Sequence, residues 1–290
     1  MLFAIRYVTE YQYGAPVTDN LNALRVRPAT SASQRCDEFH VRVDPETRLG
    51  RHVDYFGTEV TEFGISAAHR SLTIDVRARV VTSAPAEAPD PSWETLAAPA
   101  YLEAAGEFLL PTIAAPADGA LAELFAMTEL ASPLEALDAL CELIPERFEY
   151  RRGVTYVGST VADLLRVGGG VCQDFVHLAL ILLRRHGIAA RYVSGYLYAA
   201  APEGGDDSVE VDTHAWLEAL LPGGGERGEP VWVGFDPTNR ARAGEQYVKI
   251  GHGRHYDDVP PIKGVYRGGP AELSASVLMT RLDPTTSARA

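Results

Sequence analysis

Gly168-Gly169-Gly170-Val171-Cys172-Gln173-Asp174-Phe175-Val176-His177-Leu178-Ala179-Leu180-Ile181-Leu182-Leu183-Arg184-Arg185-His186-Gly187 is the stretch whose reading decides the fold. From Val171 to Leu183 it is apolar nearly all round, which marks a buried central helix. Arg184, Arg185 and His186 suit the negative end of that helix, and Gly187 suits its stop. The glycines ahead of it let backbone and substrate approach closely. Cys172 therefore stands at a helix N-terminus, where partial positive charge and unpaired N–H groups favour a thiolate and an oxyanion. A free cysteine is more often an inert packing residue. This block alone leaves a nucleophile and a structural thiol in balance.

Upstream, Leu121, Leu124, Phe125 and Thr128 recur at helical spacing. Ser132-Pro133 opens a second helix with Leu134, Leu137, Leu140, Cys141 and Ile144 on one face, and Thr160 to Val167 reads as a short third one. Downstream, strands are expected over Ala190 to Tyr198, Val211 to Leu221, Val231 to Asp236, Gln246 to Ile250 and Leu273 to Arg281. Exposed turns are expected over 203–207 and 222–225. The first hundred residues carry short strand patterns at Leu2 to Tyr13, Asn20 to Pro28, Phe39 to Val43, His52 to Gly57 and Leu72 to Val76, the signature of an antiparallel sandwich or open barrel. The expected organisation is a β-rich N-terminal domain over 1–83, an Ala/Pro-rich linker or irregular connection over 84–119, and a catalytic domain over 120–290 that includes the C-terminal strands. The fold class is α+β, with helices packed on an antiparallel sheet.

The chain has 290 residues, 46% hydrophobic and 22% charged, the balance of a globular protein and not a disordered one. No apolar run approaches the roughly 20 residues that cross a bilayer. Met1 to Arg6 is too short for the apolar part of a signal peptide, so a cytoplasmic location is expected. Asp and Glu number 39 against 26 Lys and Arg, a net charge of −13. That excess argues against a nucleic-acid partner, which needs a cationic face, and against an anionic membrane surface. Cys36, Cys141 and Cys172 are widely spaced, with no Cys-x-x-Cys pair, which suggests neither a zinc site nor a redox dithiol. Free thiols fit a reducing compartment. Gly168 to Gly170 is not followed by the Lys-Ser/Thr of a phosphate loop, and no metal or cofactor is expected.

Two further residues change the balance at Cys172. His214 lies in the alternating stretch Asp212-Thr213-His214-Ala215-Trp216-Leu217-Glu218. Asp236 ends the strand pattern of Trp232-Val233-Gly234-Phe235-Asp236-Pro237-Thr238-Asn239. Adjacent antiparallel strands would bring His214 and Asp236 into contact. A cysteine, a histidine and an orienting carboxylate form the general nucleophile–base–orienter arrangement. Singly, a strand histidine is usually structural and Asp-Pro usually a turn. The three in this order carry the reading.

The blocks Gly170 to Leu178, Ala190-Arg191-Tyr192-Val193-Ser194-Gly195-Tyr196, Thr213 to Trp216 and Gly234 to Asn239 resemble the bacterial transglutaminase-like superfamily. Leu24-Arg25-Val26-Arg27-Pro28 and Asp54-Tyr55-Phe56-Gly57 resemble that group's β-rich N-terminal domain, and His255 to Gly268 resembles its C-terminal stretch, with His255 where relatives tend to carry Asp. The resemblance implies a papain-like core with Cys172 as nucleophile, His214 as base and Asp236 as orienting acid. Gln173 is a candidate oxyanion donor, and Tyr196 and Trp216 are candidates to line a cleft. Asp174 suits the helix dipole. His177 falls about 140° around the helix from Cys172 and reads as structural. The implied function is thiol-dependent acyl transfer on peptide or amide bonds through a thioester, most directly as a hydrolytic cysteine peptidase or amidase with a peptide or protein substrate. Transfer to an amine, as in a protein-glutamine transglutaminase, shares the same acyl-enzyme. A non-catalytic peptide-binding module is the alternative of a different class, against which the intact Cys, His and Asp argue.

Overall fold

The computed structural model of the chain describes residues 1–116, 119–156, 158–199, 207–223 and 228–283. Five strands come first: β1 (Leu2–Leu24), β2 (Gln34–Asp44), β3 (Gly50–Val53), β4 (Glu59–Ile65) and β5 (His69–Thr82). Strict alternation builds them. Phe3, Ile5, Tyr7 and Thr9 are buried while their neighbours face outward, and Leu72, Ile74, Val76, Ala78 and Val80 match them from β5. The two patterns read separately at Leu2–Tyr13 and Asn20–Pro28 are one long strand with a register break between Gln12 and Val17. Its first half pairs with β5 and its second half with β4. Val17, Leu24 and Phe63 share one apolar cluster with Phe3, Ile5 and Leu72, which is the sandwich-like arrangement. The strand expected over His52 to Gly57 stops at Val53, because Asp54 Oδ1 accepts the N–H groups of Phe56 (3.1 Å) and Thr58 (3.0 Å) and so closes a turn.

The stretch over 84–119 was expected as a linker or irregular connection. It holds a 3₁₀ turn at Trp93–Ala97, the helix α1 (Pro99–Ala105) and a second 3₁₀ turn at Gly106–Leu109. Leu96, Tyr101 and Ala105 are buried against the later helices. Tyr101 Oη accepts from Ala189 N (2.9 Å) and donates to Leu220 O (3.2 Å), which ties the stretch to the second half of the chain. Three apolar anchors on one short helix are too few to show a period.

The helices α2 (Gly119–Met127), α3 (Pro133–Arg147), α4 (Val161–Val167) and α5 (Cys172–Arg185) follow, with two-residue strands β6 (Glu149–Tyr150) and β7 (Gly169–Gly170) between them. Ser132 caps α3 by accepting Glu135 N, and Thr160 and Asp163 form a capping box on α4. Strands β8 (Ala190–Leu197), β9 (Ser208–Val211), β10 (Thr213–Leu221), β11 (Val231–Asp236), β12 (Ala241–Arg242) and β13 (Tyr247–Gly253) come next. The second sheet runs β12-β11-β10-β8-β13, antiparallel throughout. Phe175, Leu178, Ala179 and Leu182 of α5 pack with Ala190, Tyr192, Ala215, Leu217 and Ala219 of that sheet. Arg184, expected at the helix end as a dipole partner, is buried and donates to the carbonyls of Phe108, Ala190 and Arg254 and to Thr112 Oγ1.

The chain then returns. β14 (Ile262–Arg267) and β15 (Ala271–Arg281) both pair with β1. The C-terminal strands grouped by sequence with the catalytic region thus complete the first sheet. The single strand expected over Val211 to Leu221 is split at Asp212: β9 joins β15, and β10 joins β8 and β11. Of the turns expected over 203–207 and 222–225, residues 203–206 and 224–225 lie outside the described residues. Among the described residues no helix is long and apolar enough to cross a membrane.

Candidate active site

Cys172 is the first residue of α5. The helix start is fixed by Asp174, whose Oδ2 accepts Val171 N (2.9 Å) and Thr155 Oγ1 (2.7 Å). This is the local role expected of Asp174, made by hydrogen bonds as well as by the dipole. A Cβ at Gly170 would come within 2.6 Å of Asp174 Oδ2, so the close approach requires glycine there. The parallel β6–β7 ladder then lays Tyr150 and Arg152 beside the helix start.

His214 is the second residue of β10 and Asp236 the last of β11. Their side chains meet, with His214 Nε2 at 2.7 Å from Asp236 Oδ2. Asp236 is fully buried. Its Oδ1 accepts Thr238 N (2.8 Å) and Asn239 N (3.3 Å), and its Oδ2 also accepts Asn239 Nδ2 (2.7 Å) and the Tyr247 hydroxyl (2.9 Å). Burial alone would raise this carboxyl. The hydrogen bonds from His214, Asn239 and Tyr247, with the His214 charge, hold it below the usual carboxylate range. With Nε2 committed to Asp236, Nδ1 is the nitrogen left to face Cys172, whose proximity favours the charged ring. Burial disfavours the charged ring, yet Asp236 and Cys172 together push it up to about 9.

Cys172 and His214 stand in the wall of a cavity of about 300 Å³, with Asp236 buried behind His214. Gln173, Tyr192 and Ser194 also line it, as do Tyr150, Arg152, Asp212, Tyr256 and Pro261. Arg152 and Asp212, both exposed, form an ion pair at 2.5 Å. Burial and the neighbouring Cys172, Tyr256 and Asp174 push the Tyr192 phenol well up, so it keeps its proton.

Of the sequence candidates, the structure brings Cys172, His214, Asp236 and Gln173 to this place. It does not bring Tyr196, which is 1% exposed and packs on Tyr7 of β1 at 6.3 Å between ring centroids. It shares the strand face of Tyr192 and Ser194 but lies farther along β8, in the apolar cluster of the first sheet. Trp216 lies behind His214, stacked at 6.3 Å, and not in the wall of the cavity. Gly195 makes room for that indole, since a Cβ there would come within 2.5 Å of Trp216 Cη2. His177 accepts Tyr256 N on Nε2 (3.2 Å) and is held down to about 4 by burial, with His255 and Arg184 adding to the shift, which is a structural role. His255 Nδ1 accepts Asp257 N (3.1 Å) and caps the turn that carries Tyr256. Sequence reasoning missed Tyr192, Asn239 and Tyr247. Tyr192 and Asn239 stand inside blocks already singled out, whereas nothing around Tyr247 marks it. Among the described residues no group of His, Cys, Asp and Glu is placed to hold a metal ion.

Residues 3–81 match the family model described as the bacterial transglutaminase-like N-terminal region. Residues 124–237, which hold Cys172, His214 and Asp236, match that of the transglutaminase-like superfamily. An uncharacterized protein of Mycobacterium leprae, ML0607, is 36% identical over 281 residues, covering 94% of this chain and 96% of its own length. An uncharacterized protein of Mycobacterium tuberculosis, Rv2569c, is 36% identical over 278 residues, covering 91% of this chain and 87% of its own. A crystal structure of a candidate cysteine protease from Cytophaga hutchinsonii shares the fold, with a TM-score of 0.77 at 23% identity over 98% of this chain and 91% of that one. With both of its regions matched in order and relatives aligned along nearly its whole length, the chain belongs to the transglutaminase-like superfamily, in the group that carries the bacterial transglutaminase-like N-terminal region.

Proposed function

We propose that the protein is a thiol-dependent acyl-transfer enzyme that hydrolyses a peptide or amide bond. The observation that carries this reading is Cys172 and His214 together in one cavity wall, with His214 Nε2 hydrogen-bonded to the buried Asp236 and Nδ1 left for sulfur. In the proposed reaction Cys172 Sγ attacks the substrate carbonyl carbon, and its proton resides on His214 Nδ1. The oxyanion that forms faces the helix N-terminus, where Cys172 N–H is one of the unpaired donors, and the protonated Tyr192 hydroxyl supplies a second. The intermediate collapses with cleavage of the C–N bond, and His214 passes the proton to the leaving amine. Water then attacks the thioester, His214 takes its proton, and the acid leaves with the thiol restored. Asp236 keeps the ring in the tautomer and orientation that this cycle needs.

The test is mass spectrometry of a mixed peptide pool incubated with the protein, with and without a labelled primary amine. Hydrolysis predicts loss of peptide bonds or side-chain amides with no amine uptake. Incorporation of the amine would make the enzyme a transferase. Identical spectra for wild type and Cys172→Ala would overturn the catalytic reading.

A further inference from the structure

Behind the catalytic pair, on the face of the second sheet turned away from α5, three charged side chains meet where a structural protein would place apolar ones. Glu218 of β10 stands directly across from Arg191 of β8. Arg191 Nε and Nη2 and Lys249 Nζ all close on the same oxygen, Glu218 Oε2, each at 2.6 Å. The side chains of Arg191, Glu218 and Lys249 are 13%, 15% and 16% exposed. Arg191 also lies over the Trp232 ring, 3.9 Å from its centroid, and its Nη1 faces His252 Nε2 at 3.1 Å. None of these residues is used by the proposed reaction.

Two cations share one carboxylate, so the cluster carries a net positive charge. His252 adds none near neutral pH, because burial with Lys249 and Arg191 holds it down to about 3. Burial works against the ionised Glu218, yet Lys249 and Arg191 hold it down to about 2. Lys249 absorbs the imbalance: burial, with Arg191 beside it, holds it down to about 8. An uncompensated buried charge is costly unless something pairs with it. The cluster is not sealed. It forms part of the wall of a cavity of about 340 Å³ between this sheet and the segments 31–34 and 82–86, a size that suits a small organic ligand. Trp216, Trp232 and Tyr247 give that cavity flat apolar walls. It shares no lining residue with the Cys172 cavity.

We propose that this cavity binds a small organic monocarboxylate, whose anionic end pairs with Lys249 and Arg191 and whose planar apolar body lies among Trp216, Trp232 and Tyr247. One surplus positive charge calls for one negative charge, and the aromatic walls call for a flat body, a combination that a phosphate dianion does not meet. The alternative is that the cluster is a staple joining β8, β10 and β13. The two readings predict opposite effects of Lys249→Met, which leaves Arg191 and Glu218 balanced one to one. A staple loses stability in that variant, whereas a ligand site kept at a cost to the fold loses none.

The test uses sodium benzoate as the probe, benzamide as its neutral isostere and sodium chloride as the ionic-strength control. Benzoate is expected to bind saturably with a roughly millimolar dissociation constant and to raise the thermal midpoint of the wild type. Benzamide and sodium chloride are expected to do neither. Lys249→Met should keep or raise the unliganded midpoint and lose the benzoate shift. Affinity should weaken about tenfold from pH 7 to pH 9 as Lys249 loses its proton, since Arg191, Glu218 and Tyr247, the other titratable groups of the wall, and His252, which lies against Arg191, keep their states over that range. The proposal is overturned if benzoate gives no saturable shift, if the shift survives in Lys249→Met, or if that variant melts lower than the wild type.

Discussion

Replacing Asp236 by Asn keeps the size of the side chain and removes its charge. The wild-type carboxylate receives two backbone N–H groups on Oδ1 and three side-chain partners, His214, Asn239 and Tyr247, on Oδ2. In the variant the amide oxygen is expected to stay with the backbone donors, which turns the NH₂ toward His214 Nε2. An N–H facing Nε2 calls for the other tautomer, with the proton on Nδ1, so the nitrogen beside Cys172 becomes a donor. The ring of His214 stands at about 9 against an ordinary 6.5, with burial opposing the rise. If Asp236 supplied all of that rise, its loss would be worth about 3 kcal/mol at 1.36 kcal/mol per unit. That corresponds to roughly 300-fold in the ratio of imidazolium to neutral ring. Cys172 contributes part of the rise; the lost charge and the wrong tautomer together are expected to slow the reactions of Cys172 roughly 10- to 300-fold at pH 7. The assay is the rate of iodoacetamide labelling of Cys172 together with the nitrophenolate burst from p-nitrophenyl acetate, read beside the thermal midpoint. The midpoint should fall by no more than about 5 °C, because the replacement is nearly isosteric. Wild-type rates in a folded variant would refute the orienting role, and a collapsed midpoint would make Asp236 a structural residue.

Limiting iodoacetamide should label Cys172 before the other thiols, since burial pushes the thiols of both Cys36 and Cys141 up and Cys141 is only 6% exposed. Peptide mapping that finds either of those labelled first contradicts the assignment. Because the His214 ring titrates above its unfolded value, its proton stabilises the fold fully below about pH 6.5, and that contribution fades as pH rises through about 9. The stability gap between wild type and His214→Ala should therefore shrink from pH 6 to pH 10, by on the order of 3 kcal/mol at most. A gap that widens with pH reverses the expected sign. Tyr192→Phe should slow acylation by p-nitrophenyl acetate roughly 100-fold while leaving iodoacetamide labelling, which builds no oxyanion, within about twofold. Equal losses in both reactions would make Tyr192 a positioning residue.

Residues whose placement depends on one element and its immediate neighbour were legible in the sequence. Cys172 could be placed at a helix start because glycines precede it and an apolar run follows. His214 and Asp236 could be paired because both sit on strands that are adjacent in the chain. Tyr196 misled because an aromatic beside a conspicuous glycine gives no sign of which sheet it will face, and its partner Tyr7 comes from the first strand. Tyr247 was invisible for the same reason, since β13 reaches β8 only after the chain has crossed the sheet. The run from Val211 to Leu221 reads as one strand, and only the separate partners of β9 and β10 reveal the break at Asp212.

The pairing of β15 along β1 has a practical consequence for anyone who would express the protein in pieces. Phe3 lies opposite Arg281, and Tyr13 opposite Ala271, so one edge of the opening strand stays open until nearly the whole chain has been synthesised. An open edge of that length is a template for association with other chains. A fragment cut to residues 124–237, the part that matches the superfamily core, would hold Cys172, His214 and Asp236 but would lack Tyr247 and the β13 strand beside β8. Inactivity of such a fragment would report a missing wall, not a missing chemistry.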